Sequence, residues 1–134
     1  MDPDRRRGRA DDEVGSAVVE FTLVASMLAV LFLSVLQVGV ALHVRNTLVA
    51  AAAEGARYGA DADRTPADGA QRTRDLVATS LSDAYTREVT AGYETVDGIE
   101  TVVVQVRAPL PLLGLVGPGG ELVVEGHALA ETPP

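Results

Sequence analysis

The apolar and polar positions are unevenly spread along the chain, and they divide it into four stretches. Residues 1–15, MDPDRRRGRADDEVG, are charged and poor in large apolar groups. A segment of that kind cannot bury enough surface to offset its ordering entropy, so disorder is expected there. From Thr22 to Leu42 there follow 21 consecutive uncharged residues, 16 of them apolar. As a helix this run measures roughly 31 Å at about 1.5 Å per residue, which matches a hydrocarbon core of about 30 Å. Residues 16–42 therefore read as a transmembrane helix. Residues 43–60, HVRNTLVAAAAEGARYGA, continue in helix-forming residues, and no proline interrupts the chain between Pro3 and Pro66. A helix extension beyond the bilayer is expected over 43–60.

Residues 61–134 follow different rules. Asp61–Gly69 has the composition of a turn. Residues 70–85 read as a second, shorter helix, with Val77, Leu81, Ala84 and Tyr85 on one face. The period then changes to two. Arg87–Val96 and Thr101–Ala108 are rich in Val, Thr and Tyr, and Asp97-Gly98 between them is a hairpin signal. Val102, Val104 and Val106 face one way; Val103 falls on the other, outer face. Glu121–Leu129 is a third alternating run, with Leu122 and Val124 inward and Glu121, Glu125 and His127 outward. The expected fold is α+β: a long N-terminal transmembrane helix that continues outside the membrane, a short helix, and a small three-stranded antiparallel sheet. The apolar stretch 108–116, APLPLLGLV, is expected to tuck against that sheet, the alternative being an assembly contact.

Charge sets the orientation. Arg5, Arg6, Arg7 and Arg9 precede the span and only Arg45 and Arg57 follow it closely, so the N-terminus is expected in the cytoplasm and residues 43–134 outside. That exterior part holds seven arginines and 13 acids. The formal net charge of the whole chain is −8, and every basic residue is arginine. An acidic protein is a poor nucleic-acid ligand, because such affinity comes mainly from neutralising phosphates. With no cysteine, disulfides, thiolate metal sites and cysteine nucleophiles are excluded. His43 and His127 have no evident partners, and no phosphate-binding glycine loop is present. No metal site, no cofactor and no catalytic constellation is expected, so the chain does not read as an enzyme.

Two features remain for function. Glu20 sits one residue before the uncharged run, where an unpaired carboxylate in low dielectric seeks a partner. Small residues recur four apart: Ala51, Gly55 and Gly59 in one row, Ala52, Ala56 and Ala60 in another, with Ala25 and Ala29 repeating the spacing in the span. Such rows let helix backbones approach closely, and Ala51, Ala52, Gly55, Ala56 and Gly59 are candidate positions for packing against other subunits. Glu54 and Arg57 are spaced as a solvated intrahelical pair.

The stretch Gly15-Ser16-Ala17-Val18-Val19-Glu20-Phe21 before an apolar helix resembles the processing motif of type IV pilin-like proteins. There a glycine precedes the cut, a glutamate is the fifth mature residue, and an aromatic follows in the Tad/Flp branch. The continuation, with His43, Val44-Arg45 and Ala52–Tyr58 ending in EGARY, resembles the TadE-like pseudopilins over residues 15–60. Val14 stands before Gly15, with acids rather than arginines just ahead, and Gln37 replaces a second glutamate common in the family. The resemblance implies a minor pilin or pseudopilin of Tad/Flp pilus assembly. It implies cleavage by a prepilin peptidase at Gly15 and Ser16, with Glu20 pairing to the α-ammonium of a neighbouring subunit. Its partners would be other pilin subunits, Tad membrane assembly proteins and the lipid bilayer. It would lie in the cell membrane or in a pilus. An uncleaved, membrane-anchored envelope protein with an acidic interaction domain is the alternative reading. A third is a domain released by signal peptidase, its mature start near Glu54.

Overall fold

The computed structural model describes residues 4–110 and 120–131, with side chains from residue 15 onward. Its elements are α1 (Asp4–Ala60), α2 (Pro66–Ser80), one 3-10 turn (Asp83–Tyr85), β1 (Glu88–Val96), β2 (Ile99–Pro109) and β3 (Glu121–Leu129). The sheet is antiparallel in the order β1-β2-β3. The expected α+β class and element order hold. The chain divides into two compact units, Met1–Val38 and Gly39–Pro134.

In the first unit α1 already starts at Asp4, so the disorder expected for residues 1–15 is corrected from residue 4 onward, residues 1–3 lying outside the described residues. Arginine, alanine and glutamate are good helix formers, and proline is absent from residue 4 to residue 65. Local propensity therefore carries the helix back past Gly15. The large apolar residues of this unit are exposed, Phe21 at 75% and Met27 at 70%.

In the second unit the outer part of α1 is a core element. Val44, Leu48, Ala51, Ala52, Ala56 and Ala60 are buried. Their steps of three, four and eight keep them on one helical face. That face and α2 together cover the inner side of the sheet, where Val89, Val102, Val104, Val106, Ala108 and Val124 lie. Leu48, Val77, Val102, Val104 and Val106 are fully buried, each contributing about 1.5–3 kcal/mol by removal from water. The folding unit thus begins near Gly39. An autonomous domain starting at 61 would lack the helix that closes its core.

Helix α2 starts earlier than residue 70, because its cap lies in the stretch read as a turn. Thr65 is the N-cap, Pro66 opens the helix, and Thr65 and Asp68 form a capping box. The Asp68 carboxylate accepts from the Thr65 hydroxyl at 2.8 Å and from its N–H at 2.9 Å. The Thr65 side-chain bond, then its backbone bond, holds the Asp68 pKa below the ordinary carboxylate value. At its other end α2 stops at Ser80. The expected stripe breaks there: Val77 is buried and Leu81 and Tyr85 partly so, but Ala84 is exposed.

The hairpin turns at Asp97 (φ 52) and Gly98 (φ 80), the left-handed pair that a two-residue type I′ turn requires. Val103 faces outward as expected but is buried, and so is Thr101. Both sit on the central strand, where side chains of β1 and β3 flank them. The outer face also carries polar contacts, Gln105 donating to Glu125 at 2.7 Å and Arg107 to Gln105 at 3.1 Å, beside the exposed Val123 and Leu129. Of the stretch 108–116, Ala108 is buried and Leu110 donates its N–H to Gly120 O at 3.0 Å. Residues 111–116 lie outside the described residues.

Candidate functional site

Gly15, Ser16, Glu20 and Phe21 all lie on α1 and are all exposed. Among the described residues Glu20 has no hydrogen-bond or ion-pair partner. The hydroxyls beyond it are satisfied by their own helix: Thr22 donates to Val18 O at 2.8 Å, Ser26 to Thr22 O at 2.7 Å, and Ser34 to Val30 O at 2.8 Å. This back-bonding removes the cost of exposing a hydroxyl to hydrocarbon. Within Gly15–Ala60 one 18-residue window reaches a mean hydropathy of 2.4, and none of it is buried. The helix is long and apolar enough to cross a membrane. Glu20 is then the acidic group nearest the apolar run, without a partner among the described residues.

The small-residue positions are placed differently from expectation. Ala51, Ala52, Gly55, Ala56 and Gly59 are buried inside the second unit. The close backbone approach expected between subunits occurs between α1 and its own chain. A Cβ added at Gly55 would run into the Thr73 hydroxyl and lie 2.6 Å from Gly69 O. One at Gly59 would lie 2.9 Å from Thr65 O, and one at Gly69 would lie 2.5 Å from Gly55 O. A Cβ at Gly126 of β3 would overlap the Ala52 carbonyl and the Ala53 nitrogen. Helix α2 and strand β3 therefore both reach the α1 backbone through glycines. The Thr73 hydroxyl, fully buried, lies 3.0 Å from Gly69 O and 3.3 Å from Ala51 O. Ala25 and Ala29 are exposed on the span.

The EGARY stretch is likewise used within the fold. Arg57 donates to Glu54 at 3.0 Å, an exposed i, i+3 pair as expected. Tyr58 lies under the Arg64 guanidinium, 4.5 Å from ring centroid to carbon, and its hydroxyl accepts from Arg64. The Glu131 N–H donates to Ala60 O at 2.8 Å and closes the end of α1. Sequence reading missed Gly69, Thr73 and Gly126. An isolated glycine in a strand pattern, as at Gly126, is a signal of close backbone approach.

Among the described residues no group of three or more His, Cys, Asp or Glu could hold a metal ion. His43 and His127 are exposed, and His127 approaches only Glu125, at 3.8 Å. No curated protein and no solved structure matches the chain. The family model described as TadE-like protein matches residues 15–57. That match takes in Gly15, Glu20, the whole apolar run and the buried face of α1 as far as Arg57. TadE-like proteins are structural, pilus-associated components. Over residues 15–57 the chain is similar to the TadE-like family, and that stretch includes a helix long and apolar enough to cross a membrane.

Proposed function

We propose that the chain is a minor pilin or pseudopilin, processed after Gly15 by a prepilin peptidase and acting structurally in Tad-type pilus assembly or secretion. Its N-terminus is cytoplasmic and its second unit extracytoplasmic, as the arginines before the span require. The single observation that carries this reading is Glu20: an exposed carboxylate, without a partner among the described residues, at the edge of an exposed apolar helix inside the family match. A carboxylate at the bilayer centre costs on the order of 3 kcal/mol, so a helix moving out of the bilayer needs a counter-charge. A free α-ammonium at Ser16 of a neighbouring subunit supplies one and fixes the register between helices. Burial of Ala51, Ala52, Gly55, Ala56 and Gly59 leaves the exposed length Ser16–Val38 for contact with other subunits.

The mature N-terminus, read by mass spectrometry, is the test. A start at Ser16 is expected. An intact N-terminus refutes processing and leaves an uncleaved envelope anchor. A start near Glu54 refutes it in favour of secretion, and would remove Val44, Leu48, Ala51 and Ala52 from the core. Separately, Glu20→Ala is expected to be processed but lost from the assembled or secreted fraction. Entry at the wild-type level would remove the pairing role.

A further inference from the structure

The sheet of the second unit has an open edge at β1, and the hydrogen-bond pattern says what it offers. The Ala130 N–H donates to Glu100 O at 3.0 Å, so Glu100, Val102 and every second residue after them bond from β2 toward β3. Ile99, Thr101 and Val103 then bond toward β1, where Val96, Glu94 and Gly92 lie opposite them. The alternate residues of β1, Val89, Ala91, Tyr93 and Thr95, turn their N–H and C=O groups out of the sheet. One of those groups is taken: Arg74 of α2 donates to Val89 O at 2.7 Å. From Ala91 to Thr95 the outward groups have no partner among the described residues. Tyr93, Glu94, Thr95 and Val96 are exposed.

An open edge is a template for another strand unless proline, a bulge or charge blunts it. This one has no proline and no bulge, since its register against β2 runs unbroken from Glu88 to Val96. Between Ala91 and Val96 it holds a single charged residue, Glu94. A second copy of β1 fits it in one antiparallel register. Centred on Tyr93, the two strands set Ala91 against Thr95 and Tyr93 against Tyr93, so the outward groups of both copies meet. Glu94 then lies across from Gly92, where a Cβ would have nothing within 4 Å. Asp97 of the second copy comes across from Val89, whose carbonyl Arg74 holds. Neither Arg74 nor Asp97 has an ion-pair partner among the described residues. The twofold axis makes that contact twice. Centring on Gly92 instead would put Thr95 where Asp97 stands, and centring on Glu94 would set two carboxylates directly opposite each other, which is unfavourable.

We propose that two copies of this chain pair through β1, antiparallel and centred on Tyr93, with Arg74 of each copy meeting Asp97 of the other. Their two three-stranded sheets become one, main-chain bonds supplying the contact and the charge pair its register. Tyr93, 53% exposed in the single chain, is covered by its counterpart. The pairing uses the second unit alone and holds whether or not the chain is cut after Gly15.

Because the chain has no cysteine, a single nitroxide label can be placed at will in the full chain in detergent. Val96→Cys and Glu88→Cys, both exposed, are labelled separately, and the distance between copies is read by double electron–electron resonance. At about 3.4 Å per residue, the paired Cα atoms are expected roughly 20 Å apart at 96 and roughly 34 Å apart at 88. Equal distances of roughly 27 Å at both sites overturn the register. Thr95→Pro removes an outward N–H and no bond within the chain, so it is expected to keep Tm and abolish both distances. Tyr93→Arg leaves the backbone intact and sets two like charges at the twofold axis; it too is expected to abolish them, and it decides the matter should Thr95→Pro fail to fold. Asp97→Asn keeps a turn-forming Asn-Gly pair and is expected to lower the paired fraction. No defined distance at either site in the wild-type background, or persistence of both distances in the folded blocking variants, overturns the pairing. A paired fraction for Asp97→Asn equal to wild type overturns the contact with Arg74.

Discussion

Gly126→Ala tests the architecture most directly. The added methyl on β3 would overlap the Ala52 carbonyl carbon and oxygen and the Ala53 nitrogen. All three are backbone atoms of α1, held by the helix, and none can rotate aside as a side-chain tip would. The strand or the helix must shift, which separates Val124 from Leu48 and its neighbours in one packed core. Overpacking in a core typically costs about 1–3 kcal/mol, and rigid backbone on both sides places this case at or above the top of that range. Against a domain stability of about 5–15 kcal/mol, that is a large fraction. At about 4–8 °C per kcal/mol for a domain of this size, a fall in Tm of roughly 12 °C or more is expected. The measurement is thermal unfolding of the full chain in detergent, followed in the near ultraviolet through Tyr58, Tyr85 and Tyr93, all in the second unit. Gly92→Ala is the matched control. It too is a strand glycine, but a Cβ there would have nothing within 4 Å, so a change within about 0.5 kcal/mol is expected. Equal Tm values for the two variants would refute the close approach of β3 to α1.

Four further outcomes are expected. Gly55→Ala drives a methyl into Thr73 and Gly69 O and should lower Tm by an amount similar to Gly126→Ala, whereas Gly15→Ala, with nothing within 4 Å, should leave it unchanged. Thr73→Val removes the buried hydroxyl that reaches Ala51 O and Gly69 O and should cost about 1–2 kcal/mol in denaturant unfolding. A fragment of residues 61–134 should show no cooperative transition, while residues 39–134 should unfold cooperatively in detergent, since Leu48, Ala52 and Ala56 are fully buried core residues. Because the Asp68 pKa is lowered on folding, its contribution to stability is present above the ordinary carboxylate value and is lost as pH falls through the lowered one. Thr65→Ala removes the hydroxyl bond but keeps the backbone one, so it should weaken that dependence and cost about 1 kcal/mol at neutral pH through the lost cap, as read from Tm against pH.

Much of the fold was legible along the chain because it is written in local periods. The uncharged run Thr22–Leu42, the alternation around Val102, Val104 and Val106, and the left-handed Asp97-Gly98 pair each act within a few residues. The start of α2 was also local, carried by Thr65, Pro66 and Asp68, but its turn-like composition concealed a capping box. The helix before Gly15 shows the reverse: charge and low hydrophobicity favour disorder, while uninterrupted helix propensity favours the extension that forms. Of the candidate site, Glu20 and its setting were readable, because an ionisable group beside an apolar run stands out by composition alone.

The partner of the small-residue face was not readable. Rows of alanine and glycine state that something approaches closely, and they do so identically for a neighbouring subunit and for the same chain. Sequence by itself determined the membrane-length helix, the acidic residue at its edge, the strand alternation and the hairpin. Only the tertiary structure decided that Gly55 and Gly59 meet the backbone of Gly69 and that Gly126 meets the backbone of Ala52 and Ala53 within one domain, and that the domain therefore begins near Gly39. The physical reason is range. Periodicity and capping are set by residues three or four apart. Steric fit between Gly126 and Ala52 depends on how 73 intervening residues fold back, and no local pattern encodes that.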